Sequence, residues 1–326
     1  MDVSIIIVNY QSSNLVIDCV NSIFQKTKEI SYEIIIVDNA SNDNSVECLT
    51  KKFGNKIKII SSKVNLGFGK ANNLGERYAI GKYIFLLNPD TILVNNAIKI
   101  LMYSLKKNKD IGCVGGNLYT IDMMPCPSYC LSFDDLSTEK EHASWYYLIK
   151  NKIKQKSFFK NKKIINNFNY DKNIKEVAYI FGADMMMEKS LFDKLGGFDP
   201  DFFMYAEEEE LSWRVKKANK KNCSVPQAKI IHLEGATQKT ECSFNKKSFK
   251  LRLNGTMTYY KKRFGMNGVY EFYKLRSLRY KRLIKIAKIQ GKNTNNFIPN
   301  IQLECLDECY KEFINNMDKE IEDGRN

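Results

Sequence analysis

The chain has 326 residues, 44% of them hydrophobic, 27% charged and nine of them cysteine, with a net charge of +14. That length accommodates one large α/β domain with an appendage or two modest domains, and the composition excludes a disordered or fibrous chain. No run approaches the ~20 apolar residues of a membrane-spanning helix, and no basic stretch with an apolar signal core precedes the first strand, so a cytoplasmic protein is expected.

The first 110 residues alternate strand and helix. Val3–Val8 reads as a strand, followed by a helix capped by Asn14 with Val16, Val20, Ile23 and Phe24 on one side. A strand over Glu33–Val37 leads through Ser41, Asn42 and Asp43 to a helix ending near Phe53, and then to a strand over Ile57–Ile60. A helix opens at Gly67–Gly69 and runs through Tyr78; strand Tyr83–Leu87 and a helix over Ala97–Leu105 follow. Repeated β-α units predict a parallel sheet with right-handed crossovers.

From Tyr119 to about Lys175 the pattern dissolves around Pro125, Pro127 and a Lys/Asn-rich tract over 150–169, which reads as a long insertion or mobile lid. Order returns with a strand over Val177–Phe181, ending in Gly182-Ala183-Asp184. A helix around Leu191 stops at Gly196-Gly197. The acidic run Glu207–Glu210 comes next, then a short strand over Lys229–Ile231 ending at His232. Beyond Cys242 the chain reads as helical and basic: Lys246–Lys288 holds fourteen Lys/Arg and one acidic residue, Glu271. Charge segregated in this way points to a polyanionic surface as partner for that stretch alone. The cysteines are odd in number and widely spaced, with Cys126/Cys130 and Cys305/Cys309 the nearest pairs, which favours reduced, mostly buried thiols over zinc or disulfides.

Three uninterrupted apolar runs end in polar signatures: Asn9-Tyr10, Asp38-Asn39 and Asn88-Pro89-Asp90. Unalternated strands are covered on both faces, and in such sheets ligands bind outside the carboxyl ends of the strands. A nucleotide site is therefore expected there. Asp90 could reach a divalent cation on a diphosphate, since Mg²⁺ and Mn²⁺ take one or two carboxylates plus phosphate oxygens; the alternative is a plain Asn-Pro-Asp turn. Asp38 could accept from a ribose or base, or cap the next helix in competition with Asn39 and Ser41. Asn9 and Tyr10 could frame the base or close the strand.

In Asn65-Leu66-Gly67-Phe68-Gly69, followed by Asn72-Asn73, backbone amides at a helix start can meet phosphate. The third glycine of a dinucleotide fingerprint is missing, and no P-loop motif occurs. Among the four glutamates, Glu208 falls in register with Leu211, Val215 and Ala218, so it should face inward with a raised pKa while Glu209 points away. Glu208 is the candidate general base and Glu207 the reserve. His232 could join Asp90 as a Mn²⁺ ligand or be an ordinary core histidine; His142 has no such context.

Read together, these stretches resemble glycosyltransferase family 2, inverting nucleotide-sugar-dependent enzymes, and in particular bacterial rhamnosyltransferase-like members. The match runs through Val3–Tyr10, Val37–Ser41, Asn65–Phe68 with Asn72-Asn73, Leu87–Asp90 and Gly182-Ala183. It continues through Gly196–Asp199, Phe203–Tyr205, Glu207-Glu208, Leu211, Trp213-Arg214 and His232–Gly235. The resemblance implies an α/β GT-A fold: a Rossmann-like, mostly parallel central sheet flanked by helices, with a C-terminal helical extension. Residues 1–240 would form the transferase domain, with 119–176 a variable, acceptor-side segment, and 241–326 the basic extension. It further implies that Asn9, Tyr10, Asp38, Asn39, Asn65, Gly67, Phe68, Asn72, Asn88, Gly182 and Ala183 line the donor. Asp90 matches the final Asp of an Asp-x-Asp metal motif, with Asn88 in the first place, and His232 matches a late metal-contacting histidine. Glu208 stands where the family usually has Asp in a Glu-Asp pair, which leaves the choice between Glu207 and Glu208 open.

The implied cofactor is Mn²⁺ or Mg²⁺. The implied donor is a nucleoside-diphosphate sugar (dTDP-rhamnose-like or a UDP-sugar), and the acceptor a glycan or lipid-linked glycan in surface polysaccharide synthesis. The rivals are a nucleotidyltransferase on a similar sheet and a non-catalytic nucleic-acid-binding protein; the latter leaves the order of the acidic motifs unexplained, so no nucleic acid partner is expected. In the basic stretch 246–288, Tyr280, Leu283, Ile284 and Ala287 form one helical face opposite Lys281, Lys285 and Lys288. That face suits either an anionic membrane surface, with the protein peripheral on the cytoplasmic side, or packing onto the protein.

Overall fold

A computed structural model of the protein describes residues 1–150, 167–233, 244–291, 293–294 and 297–322. Strands β1 (Val3–Asn9), β2 (Tyr32–Asp38), β3 (Lys58–Ser61) and β4 (Tyr83–Leu87) alternate with helices α1 (Ser13–Lys26), α2 (Ser45–Phe53) and α3 (Gly67–Glu76). β1 lies between β2 and β4, β3 flanks β2, and these pairings are parallel. The register sets Asn9 opposite Asp38 and Asp38 opposite Ser61, so the polar strand ends come to one sheet edge. Successive strand residues serve opposite faces. Ile5 and Ile7 pack with Val16, Val20 and Ile23 of α1, while Ile6 packs with Ala71 of α3. Asn14 is not the cap of α1: Ser12 holds that position, and its N–H and hydroxyl donate instead to Asn9 Oδ1 at 3.2 and 3.0 Å.

The second half of the sheet departs from the expected parallel pattern. After β5 (Thr91–Leu93), α4 (Ala97–Lys107), β6 (Ile111–Tyr119) and β7 (Tyr129–Cys130) come α5 (Leu136–Ala143), β8 (Lys175–Val177) and β9 (Tyr179–Ile180). Then follow β10 (Asp184–Glu188), α6 (Lys189–Leu195), α7 (Glu207–Lys217) and β11 (Lys221–His232). The strand order is β3-β2-β1-β4-β10-β6-β11-β5, with β8 on β11. β10 runs antiparallel to both β4 and β6, and β11 antiparallel to β5 and β8, so the sheet is mixed.

The strand expected over Val177–Phe181 splits into the short β8 and β9. The central strand is β10, whose Met185-Met186-Met187 is wholly buried although methionine is a weak strand signal. β11 is far longer than the predicted Lys229–Ile231. Its register shifts between Val225 and Lys229, where Pro226 cannot donate to the ladder.

The chain divides into two units. The first holds the sheet and its helices: residues 1–133, 167–203 and 207–233 of the described chain. The second holds residues 134–150, 204–206 and the C-terminal helices α8 (Lys246–Ile289, broken at Gly265) and α9 (Ile298–Glu322). The expected insertion is therefore shared between the two units, and residues 151–166 of it lie outside the described residues.

In the second unit Asp135 caps α5 by accepting from Thr138 N–H at 2.8 Å. Arg276 of α8 forms a buried pair with Glu139, Nε to Oε2 at 2.9 Å. Tyr273 stacks on Tyr310 of α9 with ring centroids 4.0 Å apart. Tyr280 and Ala287 are buried and Leu283 and Ile284 half-buried, so of the two alternatives for this face, membrane contact or packing onto the protein, the burial favours packing. Among the described residues, six cysteines are buried, and no helix is long and apolar enough to cross a membrane.

Candidate active site

Asp90 and His232 are brought together by strand register. β5 starts at Thr91 and pairs antiparallel with the end of β11, His232 opposite Thr91. The turn before β5 is held at three points: Asn88 N–H donates to Ala183 O at 2.9 Å, Thr91 Oγ1 to Asn88 O at 2.7 Å, and Leu233 N–H to Asp90 O at 2.8 Å. His232 Nε2 consequently lies 3.4 Å from Asp90 Oδ1, with both side chains mostly sheltered. Neighbouring ligands on an octahedral ion with bonds of ~2.1 Å stand about 3 Å apart, so this carboxylate–imidazole pair fits a Mn²⁺-like cation. Among the described residues no three acidic, histidine or cysteine side chains gather as a complete metal site. A cation here would draw its remaining ligands from phosphate and water.

The glutamate run lies beside this turn. Gly182, next to Ala183, sits where a Cβ would stand 3.9 Å from Glu208 Cβ and 3.4 Å from the Phe68 ring. Gly69 likewise approaches the Glu207 side chain, with 3.7 Å to its Cγ. Burial corrects the expected orientation of α7. Glu207 is 3% exposed, its Oε2 is enclosed without a hydrogen-bond partner, and burial reinforced by the charge of Glu208 raises its pKa well above the carboxylate range.

Glu208 is only half-buried. Glu209 is buried as well, not turned to solvent, because the helix start is embedded along more than one stripe. Glu210 holds Arg214 through Nε and Nη2, the latter at 2.6 Å, and Arg214 Nη1 donates to Leu195 O at 2.5 Å. Of the four, Glu208 is the partly accessible one, and Glu207 is its enclosed neighbour, where burial favours the neutral acid.

The residues expected to hold the nucleotide separate into frame and lining. Asp38 accepts from Asn9 Nδ2 at 2.8 Å and from Ser41 N–H at 3.2 Å, and is 3% exposed. Asn39 donates to Asn65 Oδ1 and Gly67 O and accepts from Leu66 N–H, so its amide is spent on shaping the loop before α3. Asn72, 1% exposed, donates to Phe68 O. Tyr10 and Asn65 are exposed, Phe68, Asn88 and Gly182 half-buried, and Ala183 buried.

The α3 start offers less to phosphate than expected. Gly67 N–H is taken by Asn65 Oδ1 at 2.9 Å, and Phe68 N–H by Phe203 O at 2.9 Å. Gly67 has φ +78°, and a Cβ there would meet Phe203 O at 1.9 Å, so this close backbone approach requires glycine.

Two residues escaped the sequence reading. Asp184, fully buried, accepts from Gly116 N–H at 2.5 Å, and desolvation raises its pKa well above the usual range. Its neighbours Gly115 and Gly116 leave it room, and paired glycines in a strand were the available signal. Thr91 pins the Asp90 turn; a hydroxyl one residue after Asp was the signal there.

A mixed sheet with helices on both faces and polar strand ends at one edge defines a GT-A-like α/β protein. The chain belongs to glycosyl transferase family 2, whose model matches residues 4–196. It is 23% identical over 223 residues to the low-salt glycan biosynthesis hexosyltransferase Agl10 of Haloferax volcanii, covering 67% of this chain and 62% of that one. It is 22% identical to the N-acetylglucosaminyl-diphospho-decaprenol L-rhamnosyltransferase of Mycobacterium tuberculosis, covering 61% and 66%. To the chondroitin synthase of Pasteurella multocida it is 34% identical, over 34% of this chain and only 12% of the relative's length. A crystal structure of GalNAc-T7 with UDP, GalNAc and Mn²⁺ shares the fold, with TM-score 0.59 and 16% identity over 98% of this chain and 57% of that one.

Proposed function

We propose that the protein transfers a sugar from a nucleoside-diphosphate donor to a hydroxyl of a glycan or lipid-linked glycan, with inversion at the anomeric carbon. The observation that carries the reading is the meeting of Asp90 and His232 beside the Asn88–Ala183 contact, one residue from the Gly182–Glu208 approach. Asp90 and His232 would hold a divalent cation, which supplies charge neutralisation for the departing diphosphate. Glu208 takes the proton of the acceptor hydroxyl as that oxygen attacks the anomeric carbon. Burial of Glu207 disfavours a second negative charge beneath the base. Asn9, Asp38 and Asn39 act as the frame that fixes Tyr10, Asn65 and Phe68 along the donor.

The relatives' names, a hexosyltransferase and a rhamnosyltransferase acting on a decaprenol-linked sugar, support a hexose or deoxyhexose donor and a polyprenyl-linked acceptor for surface polysaccharide. Incubation with Mn²⁺ and a panel of UDP- and dTDP-sugars tests this. Slow donor hydrolysis that releases nucleoside diphosphate and depends on Asp90 is expected. Pyrophosphate release would replace the proposal with nucleotidyl transfer, and no turnover of any donor would refute it.

A further inference from the structure

The second unit leaves a group of large side chains in water that nothing within it requires there. Tyr146 is 73% exposed, Ile149 51% and Trp145 39%. They lie on a helical stretch over 145–150, which α8 holds through Arg282: its Nη1 donates to Ala143 O at 2.5 Å and its guanidinium sits 5.2 Å from the Trp145 ring centroid. At 100° per residue, Leu278, Lys285 and Ile289 fall within about 60° of Arg282 on α8. All three are exposed, Ile289 at 74%. Lys281 and Lys288 flank them, and Lys150 stands over the Tyr146 ring at 5.2 Å. The segment over 139–150 carries little acidic charge toward solvent. Glu139 is engaged by Arg276, and Glu141 is the one acidic side chain over 141–150.

We infer that this face, with Trp145, Tyr146, Ile149, Leu278 and Ile289 ringed by Arg282, Lys281, Lys285 and Lys150, docks on an anionic lipid bilayer. Tryptophan and tyrosine settle at the headgroup level, short aliphatic side chains enter the acyl boundary, and lysine and arginine meet lipid phosphates. A cationic face does not pair with its own copy, since like charges would be apposed across a two-fold axis. Nucleic acid would engage the lysines but leave the isoleucines and Leu278 in water. The inference stands whether or not the chain is a glycosyltransferase, because no residue of the sheet unit enters it.

Vesicle flotation of the full chain tests the assignment. With vesicles of phosphatidylcholine and about one third phosphatidylglycerol the protein floats; with phosphatidylcholine alone, or in ~1 M salt where the Debye length shrinks to about 3 Å, it stays in solution. Lys281→Glu with Lys285→Glu lowers vesicle partition at least ~25-fold, from about fivefold for each charge removed. Trp145→Ser with Ile149→Ser lowers it about tenfold or more. All four positions are exposed, and circular dichroism checks that each variant folds. Trp213→Phe leaves Trp145 the only tryptophan, whose emission shifts to the blue on anionic vesicles. Absence of flotation, equal flotation of the charge-reversed variant, or an unshifted Trp145 would overturn the assignment. Binding to nucleic acid or self-association in place of flotation would transfer the face to those partners.

Discussion

Asp38 and Asp90 stand at the ends of strands in one sheet, yet their surroundings differ. Asp38 is closed in: Asn9 and Ser41 supply its hydrogen bonds, and 3% of it remains exposed. Asp90 is held by its backbone, through Leu233 N–H and the Asn88 turn, while its carboxylate lies 3.4 Å from the His232 imidazole. The first arrangement spends the side chain on structure. The second spends the main chain on structure and sets the side chain beside an imidazole. Two carboxylates that look equivalent in sequence thus have different surroundings, and the ligand role proposed for Asp90 rests on that difference.

This contrast is open to direct attack. The largest effect belongs to the open end: Glu208→Gln and Asp90→Ala should each lower kcat/KM by about 10²–10⁴-fold while leaving the urea midpoint near that of wild type. Steady-state kinetics beside equilibrium unfolding checks this, and retained turnover in both would merge the two ends into one structural class. His232→Ala should raise the Mn²⁺ concentration for half-maximal activity about 10–100-fold, by analogy with losses around metal ligands, as a metal titration reads.

The closed end should behave oppositely. Asp38→Ala strands the Asn9 amide and Ser41 N–H, and should cost about 2–3 kcal/mol of stability by denaturant titration.

A further effect is the pH dependence of Glu207. Its pKa is raised on folding, so the folded chain retains a proton that the unfolded chain loses near pH ~4.3. The favourable difference is present below that pH. It is lost as pH rises toward the folded value, at up to about 1.4 kcal/mol per pH unit. Glu207→Gln should flatten this decline in a pH series of unfolding curves. An unchanged slope would mean that Glu207 is ionised within the fold.

The sequence by itself determined the βα half of the sheet. The runs Val3–Val8, Glu33–Val37 and Tyr83–Leu87 are buried on both faces and carry their signal in consecutive residues, and the polar ends Asn9, Asp38 and Asp90 follow from where those runs stop. Family membership was equally legible, since it rests on the order and spacing of short motifs. What tertiary structure alone decided lies where distant segments meet. β10 entered the centre of the sheet antiparallel, with three methionines that carry no strand pattern. The four glutamates could not be sorted from helical phase, because several elements bury the start of α7: Glu207 sank in, Glu209 was buried as well, and Glu208 kept its access. Asp90 met His232 through a strand register 142 positions away in the chain. Local runs encode local structure; which carboxylate is covered and which stays open depends on what the rest of the chain lays over it.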